Sequence, residues 1–273
     1  MNRVILDRLI ATPVPAADAR LAYGPGRWHF GDLRLPPGRG PHPVVVVVHG
    51  GSWKAQYDLE FMVHAAAALM RRGVATWNIE FRRVGNPGGG WHGTFLDVGA
   101  ALDHLREIGQ KYDLDPDRIV VTGHSSGGHL ALWLAARSRI PVGDLLYVPD
   151  PFPIKAVVPV AGVGDLRFRW ELESDVAALM GASPVEEPGR YATASPASLL
   201  PFGVPQVIVH GTADDVTPFV LGESFHATAI AAGDDATLVP IAGADHFEVI
   251  DPESPAWDEV SKATLSPLAL SSG

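Results

Sequence analysis

Val120-Val-Thr-Gly-His-Ser-Ser-Gly-Gly-His129 joins an apolar run, Ile119–Thr122, to a run of small and apolar residues, Ser126–Arg137. The first reads as a buried strand and the second as a helix. Between them lies G-x-S-x-G, spelled Gly123, His124, Ser125, Ser126, Gly127. A turn this tight between a strand and a helix demands small residues on both sides of the serine. It lifts the Ser125 hydroxyl above the sheet and aims the positive end of the helix dipole at it. The plainer reading is a Ser/Gly-rich helix cap without chemistry.

Working outward, Pro43-Val-Val-Val-Val-Val48 has no polar alternation, so both faces of that strand must be covered. Strands are expected at Arg20–Tyr23, His29–Leu35, Val74–Phe81, Ile154–Val160, Gln206–Val209 and Thr237–Ile241. Helices are expected at Leu59–Arg72, Thr94–Tyr112 and Leu221–Ala232, with a last one after Pro255. Phe95, Val98, Leu102 and Leu105 recur at helical steps in the second of these. Strand and helix alternating in this way predict an α/β chain: a doubly wound, mostly parallel sheet flanked by helices. The chain reads as one domain, residues 1–273. Residues 165–200 are rich in Pro, Glu and Arg and lie between two core strands. A segment that long without strand character is usually functional. It reads as a mostly helical lid or cap over the strand ends, to which Phe168 and Trp170 would contribute.

Composition narrows the function. With 47% hydrophobic and 19% charged residues the chain is not disordered. A net charge of −10 argues against nucleic acid or an anionic membrane as the main partner. No cysteine is present, which excludes disulfides, thiolate metal sites and a Cys nucleophile. The first twenty residues are interrupted by Asp7 and Arg8 and hold no continuous apolar stretch of an export signal. No run approaches the ~18 apolar residues of a membrane span. The expectation is a cytoplasmic protein, a monomer or homodimer, with neither metal nor cofactor.

A serine hydroxyl needs a base. His246, in Ala242-Gly-Ala-Asp-His-Phe247, follows the last expected strand and so lies at the same sheet edge as Ser125. His29, His42, His64, His104 and His226 read as ordinary surface or core residues. His124 and His129 flank Ser125 and read as shaping the turn. The base needs an acid to hold its tautomer. The strand Val207–Val209 runs into a loop with Asp214 and Asp215, of which Asp214 is chosen; the alternative is that both only cap the next helix. His49-Gly-Gly-Ser-Trp53, directly after the five valines, has the glycines an oxyanion-binding loop requires. The expected donors are the N–H groups of Gly51, Ser52 and Ser126. Trp53 and Trp91 are candidates for an apolar substrate wall, or for ordinary core, and His124 is a further pocket candidate.

Together these residues resemble the α/β-hydrolase superfamily, on its esterase, lipase and kynurenine-formamidase-like branch with an H-G-G-x-W segment. The resemblance runs from about Val44 to Phe247. It implies an α/β-hydrolase fold, Ser125 as nucleophile, Asp214 as acid, His246 as base and His49–Trp53 as oxyanion segment. The order Ser, Asp, His is that of this fold. His210-Gly-Thr-Ala-Asp214 matches the H-G-x-x-D pattern and favours Asp214 over Asp215. Ser52 stands where the H-G-G-G branch has glycine, which points to the formamidase-like and feruloyl-esterase-like side. Ser126 stands where many relatives carry Ala or Gly. Relatives that open epoxides or remove halides place Asp at the elbow, so Ser125 implies acyl transfer to water.

The expected activity is hydrolysis of small or aryl carboxylic esters through an acyl-enzyme. The alternatives are an amidase acting on N-formylkynurenine-like substrates and a binding protein on a hydrolase scaffold. Asp113-Leu-Asp-Pro-Asp117 begins like a calcium loop, but Arg118 and His124 occupy the Gly and Glu positions, and it reads as a polar turn. Asn86-Pro-Gly-Gly-Gly-Trp91 lacks the G-K-[ST] of a phosphate loop.

Overall fold

The five valines alternate their side chains between two separate apolar layers. Val44, Val46 and Val48 pack with Trp77, Phe95, Leu102, Leu130 and Trp133 on one side. Val45 and Val47 pack with Leu6, Leu69, Phe247, Trp257 and Val260 on the other. A strand of period two with both faces buried must be apolar throughout.

The computed structural model describes residues 3–170 and 174–268. The sheet strands are β1 (Ala19–Ala22), β2 (Phe30–Arg34), β3 (His42–Val48), β4 (Ala75–Ile79), β5 (Leu114–His124), β6 (Ala156–Val160), β7 (Gln206–Gly211) and β8 (Ala236–Ile241). Their order is β1-β2-β4-β3-β5-β6-β7-β8. The β1–β2 and β2–β4 pairs are antiparallel, and every pair from β4 to β8 is parallel. The register sets Val48 beside Gly123 and His124 beside Val160, so the loops after β3, β5 and β6 open at one edge.

Helices α3 (Gly93–Asp103), α4 (Leu105–Lys111) and α5 (Ser126–Ala136) cover one face; α1 (Arg3–Ala11), α2 (Val63–Met70) and α11 (Trp257–Leu265) cover the other. α10 (Phe219–Ala232) links β7 to β8. Every residue of α5 is buried. Among the described residues between β6 and β7 lie four short helices, α6 (Leu166–Trp170), α7 (Ser174–Met180), α8 (Pro188–Ala194) and α9 (Pro196–Leu199). Phe168 there is 53% exposed, and the Trp170 side chain lies outside the described residues. Among the described residues no helix is long and apolar enough to cross a membrane.

The structure adds to or departs from the expected elements at three places. Residues 3–11 form a helix, held by buried Leu6 and Leu9 and by ion pairs from Arg8 to Asp251 and Glu253. The expected helix Thr94–Tyr112 breaks at His104. There the Trp77 indole N–H donates to the Ala101 carbonyl (2.9 Å), one of the carbonyls left open at a helix end. Leu114–Asp117 opens β5, with Leu114 paired to His42, but the register then jumps to Val44 beside Ile119, and Asp117 N–H donates to Asp115 Oδ1 (3.0 Å), so the polar turn survives as an irregularity within the strand, after Asp113 at φ 52°.

Gly31 of β2 lies flat against the fully buried Trp77 ring, and a Cβ there would stand 2.6 Å from Cη2. Gly31→Ala is therefore expected to destabilise the fold by ~1–3 kcal/mol. Gly109→Ala, in α4 with open space around it, is expected to stabilise by ~0.5–1 kcal/mol. Urea midpoints of the two variants should move in opposite directions.

Candidate active site

Ser125 sits between β5 and α5 with φ 55° and ψ −120°, a sparsely populated conformation costing on the order of 1–3 kcal/mol. Two backbone bonds hold it: Ser125 N–H to the Val160 carbonyl (2.9 Å), and His129 N–H to the Ser125 carbonyl (3.1 Å). The first ties the turn to the neighbouring strand and the second starts α5. Ser125 is half-buried.

His246 and Asp214 meet across the ends of β7 and β8. His246 Nδ1 lies 2.7 Å from Asp214 Oδ2, with both side chains nearly free of solvent. The other oxygen, Oδ1, accepts the N–H groups of Val216 (2.9 Å) and Thr217 (2.7 Å). His210 Nε2 lies 2.7 Å from the Thr217 carbonyl and 3.4 Å from Asp214 Oδ2, so its hydrogen is shared between the two. Burial alone would raise the Asp214 pKa. The hydrogen bonds from His210, His246 and Thr217 outweigh it and hold the carboxyl well below the usual range.

The segment after β3 is shaped by consecutive left-handed residues: Gly51 (φ 107°), Ser52 (φ 53°) and Trp53 (φ 58°). Its shape is held from several sides. Trp53 N–H donates to Ser126 Oγ (3.3 Å), Lys54 N–H to the Gly51 carbonyl (3.0 Å), and Val84 N–H to the Trp53 carbonyl (2.8 Å). The N–H groups of Gly51 and Ser52 have no partner among the described residues, and that of Ser126 is an open donor at the start of α5. Beneath the segment, the His49 ring stacks on Phe81 at 4.3 Å and Nε2 lies 3.4 Å from Glu80 Oε1. Glu80, 2% exposed, also accepts the N–H groups of Phe81 (2.6 Å) and Leu59 (3.2 Å) and pairs with Arg83 (3.1 Å). Burial would raise its pKa, but His49, Arg83 and Phe81 together bring it down. A buried charge persists only when paired in this way.

The pocket candidates separate. His124 is fully buried, and its ring lies 4.4 Å from that of His246, with Nε2 2.8 Å from the His246 carbonyl. It therefore supports His246 and does not line open substrate space. Burial, with the neighbouring His246 next, drives its pKa well down. Trp53 is 3% exposed and belongs to the core, its indole N–H turned to His129. Trp91 is half-buried against Phe95 (5.6 Å) and under the Arg190 guanidinium (5.9 Å). Its backbone N–H donates to the Leu179 carbonyl (2.7 Å), which ties it to α7. His210 and the Ser126 hydroxyl are not among the residues expected from the sequence. The H-G-x-x-D pattern contains the first; nothing local signals the second, whose partner lies 73 residues away.

A family model for BD-FAE matches residues 32–228, most of the chain, including Ser125 and Asp214. The chain belongs to the BD-FAE family. Esterase LipQ of Mycobacterium tuberculosis is 28% identical over 231 residues, covering 80% of this chain and 54% of LipQ. The probable carboxylic ester hydrolase LipM of the same organism is 27% identical over 224 residues, covering 77% of this chain and 51% of LipM. The chain thus spans about half the length of these curated relatives. Among solved structures, a truncated carbohydrate esterase from gut microbiota superposes with a TM-score of 0.78 at 24% identity, covering 94% of this chain and 98% of that one. An inhibited esterase B from Lactobacillus rhamnosis gives 0.82 at 20% identity, with 97% and 91% covered. The fold of this BD-FAE family member is the α/β-hydrolase fold. His246 lies beyond the span matched by the BD-FAE model, in the loop after β8.

The depressed Asp214 pKa has a consequence for stability. A carboxyl lowered by folding stabilises above its unfolded pKa of ~3.9, and that contribution is lost as pH falls through the folded value. Between about pH 4 and 2 the wild-type unfolding free energy should fall with a slope steeper than that of Asp214→Asn by up to ~1.4 kcal/mol per pH unit. Urea unfolding series at each pH measure both slopes; parallel slopes would contradict the assigned cause.

Proposed function

We propose that the chain is a serine hydrolase of small carboxylic esters, working through an acyl-enzyme. The observation that carries the reading is the His246–Asp214 pair at 2.7 Å, at the same sheet edge as the strained Ser125 turn. Ser125 Oγ attacks the ester carbonyl carbon while His246 takes its proton. The carbonyl oxygen becomes an oxyanion, which the Gly51, Ser52 and Ser126 N–H groups receive. The carbon–oxygen bond to the alcohol breaks, and His246 returns the proton to the leaving oxygen. Water then attacks the acyl-enzyme with His246 again as base, releasing the acid and restoring Ser125. Asp214 holds the His246 hydrogen on Nδ1 and stabilises the imidazolium, while its two backbone N–H bonds keep the carboxylate ionised.

The esterase names of LipQ and LipM support the reaction class. The His49-Gly-Gly-Ser-Trp53 segment keeps the finer kynurenine-formamidase-like reading within the same machinery, since attack on a formamide carbonyl needs the same nucleophile, base and donors. The test is initial rates on p-nitrophenyl esters of increasing chain length, with N-formylkynurenine in parallel. Ser125→Ala is expected to lower ester kcat/KM by at least ~1,000-fold with unchanged unfolding behaviour. Turnover that survives Ser125→Ala would sink the proposal. Much faster deformylation would move the substrate class to formamides, and wild-type silence on every substrate would favour a binding protein on this scaffold.

A further inference from the structure

His129 is fully buried one helical turn after Ser125, yet nothing in the proposed reaction uses it. Its two ring nitrogens face opposite demands. Nε2 lies 3.0 Å from the Ala194 carbonyl, which can only accept a hydrogen. Nδ1 lies 3.2 Å from the Trp53 indole N–H, which can only donate one. One neutral tautomer, with its hydrogen on Nε2 and Nδ1 bare, satisfies both. A ring with both nitrogens protonated would set N–H against N–H at Trp53. Burial pushes the ring's pKa down to about 4, with the Ala194 bond opposing, so it stays neutral at ordinary pH. Phe95 closes the site edge-on at 5.8 Å.

Trp53 ends the left-handed run Gly51–Trp53 that carries the oxyanion donors. Two left-handed non-glycine residues in succession persist only where surrounding contacts over-determine them. The Ser126 hydroxyl holds the Trp53 backbone, and His129 holds its side chain. We infer that His129 is a positioning residue for the oxyanion segment: it accepts the Trp53 indole N–H, and through the Ala194 carbonyl it keys that segment to the inserted helices. The inference rests on the ester-hydrolase reading above.

The test is steady-state kinetics of wild type, Ser125→Ala, His129→Leu, His129→Asn, Trp53→Phe and the Trp53→Phe/His129→Leu double variant on one short p-nitrophenyl ester. His129→Leu and Trp53→Phe should each lower kcat by ~10- to 100-fold, less than removal of a direct oxyanion donor, with KM within about threefold. His129→Asn keeps an acceptor near the Nδ1 position and should recover most of kcat. The double variant should be no slower than the worse single variant, because both remove one interaction. Multiplying losses, failure of Asn to rescue, or an unchanged kcat in folded His129→Leu would overturn the inference.

Nitrogen-15 NMR of the wild-type histidines keeps it falsifiable if the variants do not fold or the wild type turns over no ester. A hydrogen on His129 Nε2 alone agrees with the assignment; a hydrogen on Nδ1 overturns it. Wild-type activity lost in Ser125→Ala but retained in His129→Leu would defeat this inference alone, whereas ester turnover that persists in Ser125→Ala defeats the underlying reading.

Discussion

The ends of β3, β5 and β6 converge on Ser125 with no room for a side chain between them. A Cβ on Gly123 would fall against the Gly127 carbonyl, and one on Gly127 against the carbonyls of Val48 and His49. This close approach brings the start of α5 beside the loop after β3, so the open donors of the two can face one point. It also constrains the serine to a left-handed turn whose cost the sheet and α5 offset through the Val160 and His129 backbone bonds. Pairing of His124 with Val160 then aligns β6 against the same turn.

Around this turn the polar groups are held by buried partners and not by solvent. Glu80 joins His49, Arg83 and two backbone N–H groups beneath the segment after β3. Asp214 gathers His246 and two backbone N–H groups beside it. In a low dielectric each bond is stronger and each unpaired group more costly, so the two networks favour one geometry over its neighbours. For the reaction proposed above, donors oriented before the substrate arrives would need little reorganisation when charge develops.

The inserted helices share in this order. Lys54, just past the left-handed run, pairs with Asp175 of α7 at 2.6 Å. Trp91 is tied to α7 through the Leu179 carbonyl, and Arg190 of α8 reaches both the Trp91 ring and the Met180 carbonyl. His129 and Trp133 of α5 donate to the carbonyls of Ala194 and Thr193. The insertion is thus bonded to the loops after β3 and β4 and to the helix behind the serine.

Local pattern in the sequence was enough for the sheet and for the serine turn. The valine run demands burial on both faces, and G-x-S-x-G between strand and helix permits only a tight turn; both are constraints within a dozen residues. It was also enough to nominate His246 and Asp214, because residues after successive parallel strands share one edge. Contacts between distant segments decided the rest. His124 faces the His246 backbone 122 residues away, and Trp53 turns into the core toward His129 76 residues away. Residues 3–11 become helical on docking against a surface that includes Asp251 and Glu253. The helix break at His104 accompanies a bond from Trp77 on another element. A hydrogen-bond partner is chosen by geometry in space, and periodicity along the chain carries no record of it until the sheet has brought the segments together.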